Sequence, residues 1–335
     1  MKLNLKNNRL IAGAIASLWM TCTAGATPFL SGITSMGDSL SDVGNFYAIT
    51  GGTQPPPPYA PGRFSNGEVW VEYLAEWLNL PIEPEYQYAL GGSSTGTANY
   101  NSIPPGFILP GFQQQVDGVI EDSGTPRIDP RALYTVWVGA NDFFIWLGSG
   151  DPNALGMVSN GVSNTVNGIE ELAAAGARNF LVVNVPDLGK TPSAAVLPPG
   201  VDGLLTNLCV AWNGLLDQKL DELEAERPSL RITRLDSFAL INDMIANPAD
   251  YGFTNVTDGA IYHLPSANPD DYLFWDPVHP TTTAHSYVAA AAYEALQEDY
   301  VIYRTPAGKR GQHARRCDPV SVSPGHARRP AWAGH

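Results

Sequence analysis

The sequence predicts an α/β protein, a three-layer α/β/α sandwich around a mainly parallel sheet. Three observations carry that reading. From about Thr27 to Tyr303, short apolar runs alternate with longer amphipathic ones, as in successive βα units. The short runs are rich in β-branched and aromatic residues, as strands buried on both faces are. With 335 residues, 44% of them apolar and 10% aromatic, the chain has ample material for a packed core.

The elements follow in chain order. Lys2, Lys6 and Arg9 precede an uncharged run from Leu10 to Met20 and then Ala24-Gly25-Ala26, a small-x-small cleavage pattern. Residues 1–26 are therefore expected to be a secretory signal, and the mature chain to be secreted or periplasmic. The run falls short of the roughly 20 residues that a spanning helix needs, so no integral membrane segment is expected after signal removal. Strands are expected at Gly32–Met36, Gln87–Leu90, Leu133–Val138, Phe180–Val185 and Arg231–Leu235. Helices are expected at Val69–Leu78, Phe112–Ile120, Ala154–Ala175, Leu204–Glu226 and Thr282–Gln297. The fourth is the clearest, because Leu208, Trp212, Leu216 and Leu220 recur every four residues. Gln54 to Pro61 is proline-rich and must be extended or turned. It can border a site, although a plain surface loop is the simpler reading. No internal repeat is apparent. One domain is expected over 27–303, and the basic, Pro- and Arg-rich segment 304–335, which has no apolar periodicity, is expected to be disordered.

Charge and metal-ligand supply narrow the function. The net charge is −14, but the signal holds three bases and the tail seven against Asp318, which leaves a body of 9 basic and 32 acidic residues. Such a body repels nucleic acid and anionic membrane surfaces. Outside the tail the only histidines are His263, His279 and His285, with neither paired cysteines nor H-E-x-x-H, so neither metal nor cofactor is expected. Without the signal only Cys209 and Cys317 remain, and no bridge is predicted between them. A monomer with no nucleic-acid partner fits these exclusions.

Four short stretches carry chemistry. Gly37-Asp38-Ser39-Leu40 follows the first strand, and in open α/β sheets the reactive crevice lies at the carboxyl ends of strands. Taken alone it is more often a turn that caps a helix. Trp275-Asp276-Pro277-Val278-His279-Pro280 precedes the last helix, where a tight turn brings a carboxylate onto one imidazole nitrogen and leaves the other free. Asn141, in Val138-Gly139-Ala140-Asn141-Asp142 after the third strand, offers an amide that can donate to a developing oxyanion. Gly91-Gly92-Ser93 lets a backbone N–H approach a ligand closely. Two other motifs mislead. Gly189-Lys190-Thr191 echoes a P-loop, but Asn184 stands where its first glycine is required. Gly92-Ser93-Ser94-Thr95-Gly96 matches the G-x-S-x-G elbow and nominates Ser94, yet it leaves Asn141 unexplained.

Taken together these stretches resemble the GDSL lipase/esterase family, also called SGNH hydrolases, in its secreted bacterial branch of lipases, phospholipases and haemolysins. Gly62-Arg63-Phe64-Ser65-Asn66-Gly67 and Gly252-Phe253-Thr254-Asn255-Val256-Thr257 resemble stretches of that branch as well. The resemblance spans roughly Ile33 to Leu296. It implies a flavodoxin-like sheet, Ser39 as nucleophile and His279 as general base oriented by Asp276. The implied oxyanion hole is built from Ser39, Asn141 and Gly92, with Gly91 the alternative to Gly92. Where relatives often have a cysteine shortly after the Phe-Thr-Asn-Val-Thr stretch, this chain continues Asp258-Gly259-Ala260, which leaves Cys209 without an evident partner. Three activities compete: hydrolysis of a small-molecule or lipid ester, the substrate the resemblance implies, acyl transfer from the same acyl-enzyme to an alcohol, and ligand binding on an inactive scaffold. Loss of Ser39, Asn141 or His279 would mark the last, and all three are present.

Overall fold

A computed structural model of the chain describes residues 30–83, 86–101, 109–122 and 128–299. The expected signal and tail lie outside these residues. Four parallel strands, β1 (Ile33–Gly37), β2 (Leu133–Trp137), β3 (Asn179–Val183) and β4 (Arg231–Leu235), form one sheet in the order β1-β2-β3-β4. Ile33 pairs with Leu133, Leu133 with Asn179 and Asn179 with Arg231. Because successive side chains of a strand point to opposite faces, the sheet divides the core in two. Met36, Tyr134, Val136, Phe180, Val182 and Ile232 pack on one side against α3 (Phe112–Asp122), α5 (Ala154–Ala175) and α6 (Val201–Glu226). Ile33, Leu133, Trp137, Leu181, Val183 and Leu235 pack on the other against α2 (Trp70–Leu78) and α8 (Thr282–Asp299). These are the three layers expected.

The Gln87–Leu90 strand requires correction. Its backbone does run along the free edge of β1, since the Tyr88 N–H donates to Ser35 O (2.8 Å) and the Leu90 N–H to Gly37 O (3.1 Å). The ladder stops at a single bridge, Ser35 to Gln87, because the Gly37 N–H donates instead to Gln115 Oε1 of α3 at 2.8 Å. On the outer side, Asn45 Nδ2 donates to the carbonyls of Gln87 and Ala89 at 2.6 and 2.9 Å and closes that edge. Counted as an edge, this segment gives the flavodoxin-like arrangement with its topological switch point between β1 and β2.

Three helices were not foreseen: α1 (Asn45–Ile49), α4 (Ala140–Ser149) and α7 (Ser237–Ala246). Nor was a small parallel pair, β5 (Asn255–Gly259) with β6 (Tyr272–Phe274), which delivers the chain to the Asp276 turn. Cys209 is buried on α6 with no disulfide partner among the described residues, and burial pushes its pKa up to about 12. Among the described residues no helix is long and apolar enough to cross a membrane.

Candidate active site

Ser39 sits where the backbone leaves β1. Gly37 makes that exit possible, because at φ +144° a β-carbon would lie 2.2 Å from Trp137 O. Asp42 then fixes the turn: its Oδ1 accepts the N–H groups of Gly44 and Asn45 at 2.8 and 2.7 Å, and its Oδ2 accepts Phe46 N–H at 3.1 Å and Gly91 N–H at 2.8 Å. Ser39 stays partly open to solvent.

The turn after β6 brings the second component. The Trp275 N–H donates to His279 O at 2.7 Å, while Asp276 Oδ1 accepts the N–H groups of Val278 and His279 at 2.8 and 2.7 Å. The carboxylate that holds the turn thereby presents Oδ2 to His279 Nδ1 at 2.6 Å, and His279 Nε2 lies 2.8 Å from Ser39 Oγ. The His279 side chain is 15% exposed and Phe64 packs over its ring, with centroids 5.2 Å apart. Burial alone would push Asp276 up and His279 down, but their mutual charge and hydrogen bond win, so the carboxyl lies below its ordinary range and the imidazole above 6.5. A hydroxyl, an imidazole and a carboxylate aligned in this way can pass the hydroxyl proton to the ring as the oxygen attacks.

Asn141 and Gly92 meet at the same cavity as Ser39 and His279. The first turn of α4 carries Asn141, whose Nδ2 lies 3.1 Å from Ser93 O and 3.4 Å from Asp38 Oδ2. The two candidate glycines differ. Gly91 spends its N–H on Asp42, whereas the N–H groups of Gly92 and Ser39 have no acceptor among the described residues. Gly92 has φ +84°, and a β-carbon there would lie 2.4 Å from Asn99 Oδ1. Next to Asn141, Asp142 clamps Thr95 through its N–H (2.9 Å) and hydroxyl (2.6 Å), which ties α4 to the Gly92 loop. Ser94 is kept away from this chemistry, since it is buried and its hydroxyl donates to Ala98 O at 2.7 Å. The Gly189-Lys190-Thr191 stretch is a 3-10 turn in which Asp187 Oδ1 takes the Gly189 N–H, the group that a phosphate would need.

The motif reading missed three contributors. Asp38 is buried beside Ser39, and burial pushes its carboxyl up to about 7, against the Leu40 N–H and the charge of His279 and with Asp142 and Asp42 nearby. Burial also raises Asp42 and Asp142 to about 6 each. Gln115 holds the end of β1 through Gly37 N and O, both at 2.8 Å, and reaches Ser93 Oγ at 2.9 Å. Tyr59, in the proline-rich segment, donates its hydroxyl to Asp276 Oδ2 at 2.7 Å. Only the proximity of that segment to the first strand hinted at this. The cavity measures about 130 Å³, and its walls are mostly apolar, with Leu40, Phe144, Leu188, Ile241 and Phe274 among them. Among the described residues no group of three or more His, Cys, Asp or Glu side chains could hold a metal ion.

Comparison with known proteins places these features in a class and then in a family. The class is carboxylic-ester hydrolase. The chain belongs to the GDSL-like Lipase/Acylhydrolase family, whose sequence profile matches residues 33–292. It is 27% identical over 299 residues to the thermolabile hemolysin of Vibrio parahaemolyticus, covering 83% of this chain and 67% of that protein. It is 27% identical over 344 residues to the phosphatidylcholine-sterol acyltransferase of Aeromonas hydrophila, covering 84% and 98%. An acetylesterase of Thermothelomyces thermophilus is 26% identical over 283 residues, covering 79% and 88%. Among solved structures, an acetylxylan esterase of Geobacillus stearothermophilus aligns at 14% identity and TM-score 0.43, over 82% of this chain and 96% of that one.

Proposed function

We propose that this chain hydrolyses carboxylic esters through an acyl-enzyme on Ser39, with His279 as general base, Asp276 as its orienting partner, and Ser39 N–H, Gly92 N–H and Asn141 Nδ2 as oxyanion donors. The observation that carries the reading is the continuous chain from Ser39 Oγ to His279 Nε2 (2.8 Å) and from His279 Nδ1 to Asp276 Oδ2 (2.6 Å) at the mouth of an apolar cavity. His279 takes the hydroxyl proton as Ser39 Oγ bonds to the ester carbon. The carbonyl oxygen gains charge where the two free N–H groups and the Asn141 amide converge. His279 then returns the proton to the leaving alcohol, and water repeats the two steps to free the acid. Asp276 stays ionised throughout and stabilises the imidazolium.

The apolar walls suit the acyl side of a lipid, phospholipid or small acyl ester. Likeness to a protein named for acyl transfer supports a second reading, in which an alcohol replaces water at the acyl-enzyme. Product analysis with an added acceptor alcohol separates the two. Export of the chain, with 1–26 removed as a signal, belongs to the same proposal and rests on the pattern from Lys2 to Ala26. A fluorophosphonate probe tests the centre of it. Labelling is expected on Ser39, and Ser39→Ala is expected to abolish labelling and hydrolysis while Ser94→Ala keeps both. An adduct on Ser94, with Ser39→Ala still active, would overturn the assignment.

A further inference from the structure

We infer that Tyr59 is a positioning residue that tunes the Asp276–His279 pair from the proline-rich segment. The inference rests on the reading of His279 as general base. Tyr59 Oη and His279 Nδ1 share one oxygen, Asp276 Oδ2, at 2.7 and 2.6 Å, while Oδ1 is filled by two backbone N–H groups. Among the described residues, every donor to this 3%-exposed carboxylate is therefore within the turn except Tyr59, which comes from 217 residues away. Its placement is built in. The ring packs edge-on against Trp275 at 5.9 Å, and the Ala60 N–H donates to Ser65 O at 2.9 Å. Ser65 Oγ in turn donates to Pro280 O at 2.9 Å, and Asn66 Oδ1 accepts the Thr282 N–H at 2.9 Å. The segment is thus strapped to both sides of the His279 turn.

The physical consequence has a definite sign. A hydroxyl that donates to Oδ2 withdraws negative charge from the atom on which the imidazolium depends, and so tempers the basicity of His279. Without the hydroxyl, Oδ2 faces His279 alone, and the ring should hold its proton more tightly. The other titratable groups around the pair are Asp38 and His285 near His279, and Tyr262 near Tyr59 and Asp276. His285, pushed down to about 3 by burial, stays neutral, and Tyr59→Phe changes none of the three.

Tyr59→Phe keeps the ring against Trp275 and deletes only the donor. The kcat for a p-nitrophenyl ester is expected to fall about tenfold, the worth of one hydrogen bond to a charged group, with KM nearly unchanged. The acidic limb of kcat/KM, and the His279 titration followed by NMR of its ring proton, should both move to higher pH. A purely structural tyrosine would lower the melting temperature and leave both curves in place, and that result would overturn the inference. Ser39→Ala and His279→Ala run beside it. If they abolish hydrolysis while the Tyr59→Phe titration superimposes on wild type, the inference alone fails; if they remain active, it falls together with the reading it rests on.

Discussion

At the residue scale, the proposed oxyanion donors differ in what holds them ready. Asn141 lines the cavity, and its Nδ2 is held there by Ser93 O and Asp38 Oδ2, whereas the Ser39 and Gly92 N–H groups are held by the backbone itself. Because such a donor acts mainly on the transition state, Asn141→Ala is expected to lower kcat by roughly 10²- to 10³-fold with little change in KM, measured by steady-state ester kinetics. A changed KM with intact kcat would make Asn141 a substrate-positioning group. The Ser39, Asn141, Asp276 and His279 positions could be read from the chain because each lies in a short run beside an element boundary. The choice of Gly92 over Gly91 could not. It depends on which N–H Asp42 takes, and that is decided by a fold that brings residues 49 apart into contact. Tyr59 was hidden for the same reason, since its partner lies on the far side of the sequence.

At the element scale, periodicity found α2, α3, α5, α6 and α8 and the four strands of the sheet. It missed the elements that the site builds around itself. α4 begins at the site, where Gly139 and Asn141 look like a loop, and α1 has only five residues. Of the β5–β6 pair, β5 (Asn-Val-Thr-Asp-Gly) is too polar and β6 (Tyr-Leu-Phe) too short to announce itself. The edge segment at Gln87 read as a full strand because its residues suit one; a side chain on another helix prevents the ladder from closing. That side chain, Gln115, is a test of how the elements are joined. Gln115→Ala leaves the buried Gly37 N–H unsatisfied, at about 1–3 kcal/mol, while the Gly37 C=O keeps the Leu90 N–H. Thermal unfolding is expected about 2–12 °C lower, using roughly 2–4 °C per kcal/mol for a domain of this size. Turnover should fall too, because Gln115 Nε2 also holds Ser93 Oγ next to Gly92. An unshifted melting curve would show that the Gly37 groups find other partners.

At the scale of the whole molecule, activity and stability should want different pH. Hydrolysis needs neutral His279, whose pKa lies above 6.5, so kcat/KM should rise with pH through that raised value. Stability runs the other way. Asp38 binds its proton up to about pH 7 in the folded chain but only to about 3.8 when unfolded, so its contribution falls as pH rises between those values. His279 has the same sign, because a raised imidazole stabilises fully below 6.5 and its contribution is lost as pH climbs through the folded value. Asp276, lowered when folded, opposes them only in the acid range below its ordinary 3.8. The net charge of −14 at pH 7 adds self-repulsion in the same direction as Asp38. The melting temperature is expected to be higher near pH 5.5 than near pH 8.5, with Asp38→Asn flattening the difference; a higher value at pH 8.5 would contradict this. Ser39 and His279 stand 240 positions apart in the chain. A contact so distant along the chain is among the last that a folding polypeptide can close, because the entropy of the intervening loop must be overcome first. Catalysis should therefore be a clock for the end of folding: after dilution from denaturant, helical ellipticity should recover first and ester turnover only in the slowest phase.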